Sequence, residues 1–347
     1  MPIKRAEDAV LDYDTTILPP KKYFMPQRET LFTYSSTGAE PEVPENSDTG
    51  KRVIFGVHTY DLHGIDVLKK VFYDSEQPDP YFTELYDRTY LVGIDFEDDK
   101  FKFAHDMQSD GLNCSYDLYI GRSFAGSGNA ENNKAGSSSI DLGTGSFILL
   151  LGREQGNELL KGIDAADNGW HELSADELLE YMNDRAAYLE KQEFKLLATL
   201  DEMPQMLSAM LESDVWKSEA DKCFSCGSCN TTCPTCYCFD IRDIPDIGED
   251  SGKRTRIWDS CMLSTFAKVA GGENFRRETY ERLRHRFNRK IWYLRNIYGR
   301  PACVGCGRCS RACMASINIS VVLNALESEY ARACAVDPDF GKLSKPR

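Results

Sequence analysis

Two copies of one cysteine pattern constrain this chain more than any other feature. Cys223, Cys226, Cys229 and Cys233 follow C-x2-C-x2-C-x3-C within "CFSCGSCNTTCPTCYCFD" (223–240), and Cys303, Cys306, Cys309 and Cys313 repeat it in "CVGCGRCSRAC" (303–313). This spacing lets three thiolates of one loop converge on an iron–sulfur cube, while the fourth cysteine begins the next segment and reaches the cube of the other repeat. The expected sets are Cys223, Cys226, Cys229 with Cys313, and Cys303, Cys306, Cys309 with Cys233, holding two [4Fe-4S] clusters. Structural zinc also uses C-x2-C pairs, but a tetrahedral ion wants two pairs and seldom a third and fourth cysteine at these offsets. Small residues beside the ligands, Gly227, Ser228, Gly305 and Gly307, let backbone N–H groups approach the sulfides and tune the potential. The 69 residues between Cys233 and Cys303 are too many for a compact ferredoxin. Stretches such as "ENFRRETYERLRHRFNRKIWYLRNIYG" read as helix, so a helical dicluster domain is expected, with cubes between helix ends.

Cys236, Cys238 and Cys261 are left over beside these motifs. They pack as small hydrophobes around the clusters or supply ligands to something additional, and packing is the commoner fate of a free cysteine. Cys114 and Cys334 are isolated and receive no role.

The chain has thirteen cysteines in 347 residues, with neither a secretory leader nor an apolar run long enough to span a bilayer. Clustered thiols in that setting belong to a reducing compartment, so a cytoplasmic location and no membrane span are expected. The net charge is −14, yet residues 276–300 carry nine Lys or Arg against two Glu. At helical spacing such a stretch reads as a solvated face or a site for an acidic protein partner, and no nucleic acid is expected.

Along the chain, proline-punctuated residues 1–50 read as an extended N-terminal arm. Residues 51–172 read as an α/β or α+β domain, from short apolar runs in "RVIFGVHTYD", "TYLVGIDFED", "YDLYIGRSFA" and "GSFILLLGRE" with a helical pattern at "GIDVLKKVFYD". The polar tract 126–139 reads as a surface loop. No phosphate-binding glycine motif is complete. Residues 173–217 read as a helical linker: Ser174 and Glu177 form a capping box, Leu178, Leu179, Met182, Ala186 and Leu189 recur at helical spacing, and a second helix covers 203–211. Residues 218–347 are the dicluster domain.

Several stretches carry a resemblance: "TTILPPKKYFMPQRETLF" (15–32), "IFGVHTYDLHGIDVL" (54–68), "WKSEADKCFSCGSCNTTCPTCYCFDIRDI" (216–244), "RIWDSCMLSTFAKVAGGENFR" (256–276), "RLRHRFNRK" (282–290) and "CVGCGRCSRAC". Together they resemble the beta subunit of cytosolic sulfhydrogenases, which are NADP-linked nickel–iron hydrogenases, and the iron–sulfur electron-transfer subunit of anaerobic sulfite reductases. The resemblance implies an electron-wire subunit between a flavoprotein that handles NAD(P)H and a catalytic subunit, such as the small and large subunits of a nickel–iron hydrogenase. Family members often carry an additional cluster in the N-terminal domain. Here the matching positions are Tyr60, Phe96, Phe101 and Phe103, and without thiolates that cluster is absent. His58, Asp61, Asp95 and His105 lie nearby as alternative metal ligands, although scattered His and Asp are more often hydrogen-bonding groups. Met314 stands where a proline would normally follow the fourth cysteine.

Nothing in the sequence resembles a catalytic apparatus. Two cubes with every ligand position filled favour one-electron transfer over substrate activation. The expected function is therefore an electron relay in a multisubunit oxidoreductase, most simply a nickel–iron hydrogenase. The alternatives are a relay for sulfite or sulfur reduction, a docking subunit with structural clusters, and a sensor that binds DNA through 276–300.

Overall fold

A computed structural model of the protein describes residues 13–35, 40–43, 50–122, 147–161 and 171–341. The expected loop 126–139 lies outside the described residues. The elements run β1 (Arg28–Ser35), β2 (Arg52–His58), α1 (Thr59–Phe72), α2 (Pro80–Asp87), β3 (Thr89–Ile94), β4 (Leu118–Arg122), β5 (Phe147–Leu151), α3 (Asn157–Leu160), α4 (Ala175–Glu190), α5 (Met203–Ala209), α6 (Val215–Ala220) and α7 (Ser228–Thr231). A hairpin of β6 (Phe239–Pro245) and β7 (Ser251–Trp258) follows, then α8 (Thr279–Asn288), α9 (Leu294–Tyr298), α10 (Arg308–Arg311) and α11 (Ile319–Val336).

The four apolar runs of the N-terminal domain become one sheet, ordered β2-β3-β4-β5. β2 and β3 are parallel, as are β3 and β4, and β5 closes the edge antiparallel to β4. β3 is buried along its whole length, as a strand covered on both faces must be, and this explains its continuous apolar run. Helix α2 starts where Asp79 accepts the backbone N–H of Phe82 at 2.9 Å, with Pro80 in the first turn where its missing N–H is harmless. Phe24, Leu62, Phe82 and Tyr119 lead the core beneath this sheet. The capping box of Ser174 and Glu177 starts α4 as expected. The apolar spacing on that helix does not mark its buried side. Leu178, Leu179 and Met182 stand exposed, and the helix instead buries Tyr181 and Arg185, the latter bonded to Asp95 and to the Asp110 carbonyl.

The C-terminal region is largely helical, packed around Trp216, Phe287, Ile291, Leu323 and Leu326. This bears out the expected helical domain, which also holds one strand pair. The segment between the two cysteine motifs contains the β6–β7 hairpin, and β1 of the N-terminal arm pairs antiparallel with β7 to give a second sheet, β1-β7-β6. Buried Arg256 on β7 fastens this pairing by bonding Glu29 of β1 and Asp79 at the cap of α2. The arm is thereby laid on the cysteine-rich region as a strand. No helix among the described residues is long and apolar enough to cross a membrane.

Candidate iron–sulfur centres

The two cysteine motifs fold alike. In each, the residue before the second cysteine is left-handed (Ser225, φ 52°; Gly305, φ 59°), and so is the residue after it (Gly227, φ 80°; Gly307, φ 71°). Gly227 and Gly307 then cap the one-turn helices α7 and α10. Positive φ costs a glycine little, and alternating such residues curls the loop so that its sulfurs face inward. At the second motif glycine is also required by close approach. A Cβ on Gly305 would strike the Phe103 carbonyl, and one on Gly307 would lie 2.6 Å from the Phe101 backbone. The Phe103 N–H donates to the Gly305 carbonyl at 2.8 Å across this contact.

Cys223, Cys226, Cys229 and Cys313, together with Cys309 of the second motif, line one cavity of about 40 Å³, walled by Phe224, Met262, Leu283, Phe287 and Ile317. The cavity thus gathers the four residues of the first expected ligand set and one of the second. Cys226 is exposed there, flanked by Phe224 and Met314 at 72% and 82% exposure. The second loop lies deeper, with Cys306 and Cys233 buried. Burial pushes the Cys229 and Cys306 thiols up to about 12, so a bare thiolate is disfavoured at both and a bound metal is what would deprotonate them.

The donor set fits anionic clusters on an independent ground. Lys21, Arg282, Arg286 and Lys290 are all buried, between 3% and 6% exposed. None of them meets a carboxylate among the described residues; their hydrogen bonds go to carbonyls, hydroxyls and the Asn230 amide. An uncompensated buried charge costs several kcal/mol, so these cations require anions in the same interior. A cube with four thiolates carries a net charge of about −2 when oxidised, and two cubes match four cations. Arg282 bonds the Ser225 hydroxyl at 3.1 Å beside the first loop. Arg286 sits between the loops: burial works against its charge, yet the negative charge that Cys229, Cys309 and Cys233 carry when ionised holds its pKa well above the usual value. Lys290, also opposed by burial, is held charged by Cys233 and Cys236. Arg282, Arg286 and Lys290 recur every four residues, so part of the basic stretch 276–300 turns its charges inward instead of offering them to solvent or a partner. Reading the stretch by charge alone missed this role. The signal that marks it is the apolar set Leu283, Phe287 and Ile291 one position on, which is buried as well.

The N-terminal domain closes over the second loop. Arg308, between Cys306 and Cys309, makes two hydrogen bonds to Asp61 at the start of α1, at 2.6 and 2.7 Å, with both side chains buried. Tyr60 and Phe96 pack edge to face at 4.7 Å in a buried cluster with Ala104, Val304 and Cys306. Phe103 is buried and Phe101 lies against Gly307, so the four aromatic residues line the face of the loop. The polar residues nearby are engaged elsewhere. His58 bonds the Tyr60 hydroxyl at 2.6 Å, Asp61 holds Arg308, Asp95 accepts from Tyr119, and His105 bonds Asp110. No single-ion site is formed by these four His and Asp residues.

The remaining cysteines of the region meet one another. Cys238 contacts both Cys236 and Cys261, and Cys261 accepts the Asn230 amide at 3.1 Å. Contact with Cys238 and that amide draws Cys261 down to about 7. Cys114 lies apart, pushed up to about 12 by burial, and Cys334 sits on α11.

Residues 222–317 match the family described as a 4Fe-4S dicluster domain. The whole chain is 32% identical over 326 residues to sulfhydrogenase 2 subunit beta of Pyrococcus furiosus, covering 93% of this chain and 86% of that protein. No solved structure matches the chain. Two cysteine loops of one conformation, a cavity lined by five of their cysteines and four buried cations lacking carboxylates accord with this kinship: the chain belongs to the family of sulfhydrogenase beta subunits, as an electron-transfer member with two [4Fe-4S] clusters.

Proposed function

We propose that the chain relays single electrons through two [4Fe-4S] clusters, one on Cys223, Cys226, Cys229 and Cys313, the other on Cys303, Cys306, Cys309 and Cys233. The clusters supply the one-electron chemistry; the protein holds them, compensates their charge and excludes water. The observation that carries the reading is adjacency, since Arg286 lines one cavity together with Cys229 of the first motif and Cys309 of the second. Clusters held by these loops would lie a short electron step apart. Fully ligated cubes suit transfer better than bond-making.

The partners in this reading are a flavoprotein linked to NAD(P)H and a nickel–iron catalytic subunit, in a cytoplasmic complex. Phe224 and Met314 beside exposed Cys226 offer an apolar landing surface at the first cube. In the assembled complex, Cys226→Ala or Cys306→Ala should reduce hydrogen-dependent NAD(P) reduction at least tenfold, while hydrogen-dependent dye reduction at the catalytic subunit persists. Undiminished nucleotide-linked turnover with both cysteines replaced would refute the relay.

A further inference from the structure

The thiols of Cys236, Cys238 and Cys261 are not needed by either ligand set, yet they converge. Cys238 precedes β6 and Cys261 follows β7, so both stand at the open end of one hairpin. There the register pairs Phe239 with Trp258, and the Asp259 N–H donates to the Cys238 carbonyl at 2.9 Å. Chain geometry therefore holds the two loops together, and the sulfur of Cys238 touches both neighbours. A cavity of about 20 Å³, room for about one water, adjoins all three thiols and is walled by Arg286, Arg289 and Lys290. Cys236 and Cys261 are buried, while Cys238 is half-buried. Cysteines that serve only as packing sit in apolar surroundings, whereas electropositive, partly accessible surroundings mark reactive thiols. This trio has the second kind. Lys21 adds a further cation, donating to the Cys236 carbonyl at 2.8 Å.

We propose that Cys238 and Cys261 form a redox-active dithiol, with Cys236 as a third thiol within exchange distance, and that this couple exchanges two electrons with the two clusters. The inference rests on the two-cluster reading above. In the reducing direction the Cys238–Cys261 sulfur–sulfur bond would break as the two sulfurs take up two electrons, one from each reduced cluster, and two protons from solvent through the cavity, leaving two thiols. In the oxidising direction the two thiols would release two protons to solvent and two electrons, one to each oxidised cluster, as the bond forms. Lys290 lines the cavity with Cys236 and Cys238 and donates to the Thr235 hydroxyl at 2.7 Å, which itself meets the Cys233 sulfur at 3.4 Å, so one charge spans both centres. Cys236 is placed to attack the disulfide at Cys238, the route by which disulfides exchange partners. The couple would store a pair of electrons beside two one-electron carriers.

The test uses the full chain with both clusters in place, equilibrated anaerobically with mediator dyes across a range of potentials. Each sample is then quenched in acid, alkylated and cut with trypsin. A disulfide joins the peptides 223–242 and 257–268, and fragmentation locates the link at Cys238. The linked fraction is expected to rise with potential along a two-electron curve. It should vanish in Cys261→Ser and Cys261→Ala proteins that keep the wild-type iron content of about eight per chain. Alkylation of Cys238 and Cys261 at every potential in the wild type would overturn the proposal. So would an extra equivalent of iron or zinc that is lost in both variants. The wild-type measurement stands even if neither variant folds, and the iron content reports on the clusters separately from the thiols.

Discussion

Replacing Arg286 by Gln withdraws one positive charge from the space between the two ligand sets, and the consequence can be worked through before it is measured. The side chain is 4% exposed and faces thiols of both sets, so it contributes to both clusters with little help from solvent. A reduced cube carries one more negative charge than an oxidised one. The cation therefore stabilises the reduced form more, and its loss lowers both potentials. Taking a separation of about 7 Å and an effective dielectric constant of about 20, one unit charge contributes about 2.4 kcal/mol. For a one-electron couple about 1.4 kcal/mol corresponds to 59 mV, so the expected fall is on the order of 100 mV at each cluster. Arg286→Lys keeps the charge and should move the potentials much less. Lys290→Met should act mainly on the second cluster, since Lys290 bonds the Thr235 hydroxyl that meets the Cys233 sulfur at 3.4 Å. The assay is electron paramagnetic resonance through a reductive titration of anaerobic protein, with iron content confirming that both clusters remain. Shifts below about 20 mV in a fully loaded Arg286→Gln protein would show that the buried guanidinium is not the clusters' counter-charge.

Two further outcomes rest on the packing of the N-terminal domain. Asp61→Asn leaves the Arg308 guanidinium buried without its partner, a change that typically costs about 3–5 kcal/mol. The anaerobic melting temperature should fall accordingly, and a loss under about 1 kcal/mol would contradict the pairing. His63 is held neutral by burial and by Arg300, which lower its pKa to about 4. The unfolded chain takes up that proton near pH 6.5 and the folded chain does not, so stability is full above about 6.5. It should then fall toward pH 4 by up to about 1.4 kcal/mol per unit. His285, lowered to about 4 by burial and by Arg276 and Arg289, adds to the slope. His63→Gln should flatten the pH dependence of melting between 6.5 and 4, and an unchanged slope would exclude His63 as its source.

What the sequence disclosed here followed the range over which each interaction acts. Ligand spacing and capping are local: C-x2-C-x2-C confines its thiols to one turn of chain, and Ser174 caps α4 through a partner three residues away. The β2–β5 runs were legible for the same reason, since each is a short apolar run bounded by turn residues. The β1–β7 pairing was not legible, because Arg28 and its partner Ile257 are brought together only by the fold. The charge stripe on α8 was misread for a different reason. Arg282, Arg286 and Lys290 at four-residue spacing look like a solvated face whenever the interior is taken to be neutral, and charges are then assigned outward by default. Once two anionic clusters lie beneath the helix, the preference inverts: apolar residues alone would leave the clusters' charge uncompensated in a medium of low dielectric, and basic residues become the interior-facing choice. The ligand motif and the basic stretch therefore belong to one pattern. The burial of Leu283, Phe287 and Ile291 beside the cations supports that reading, because a helix presenting both stripes to the interior must be covered on more than half of its circumference.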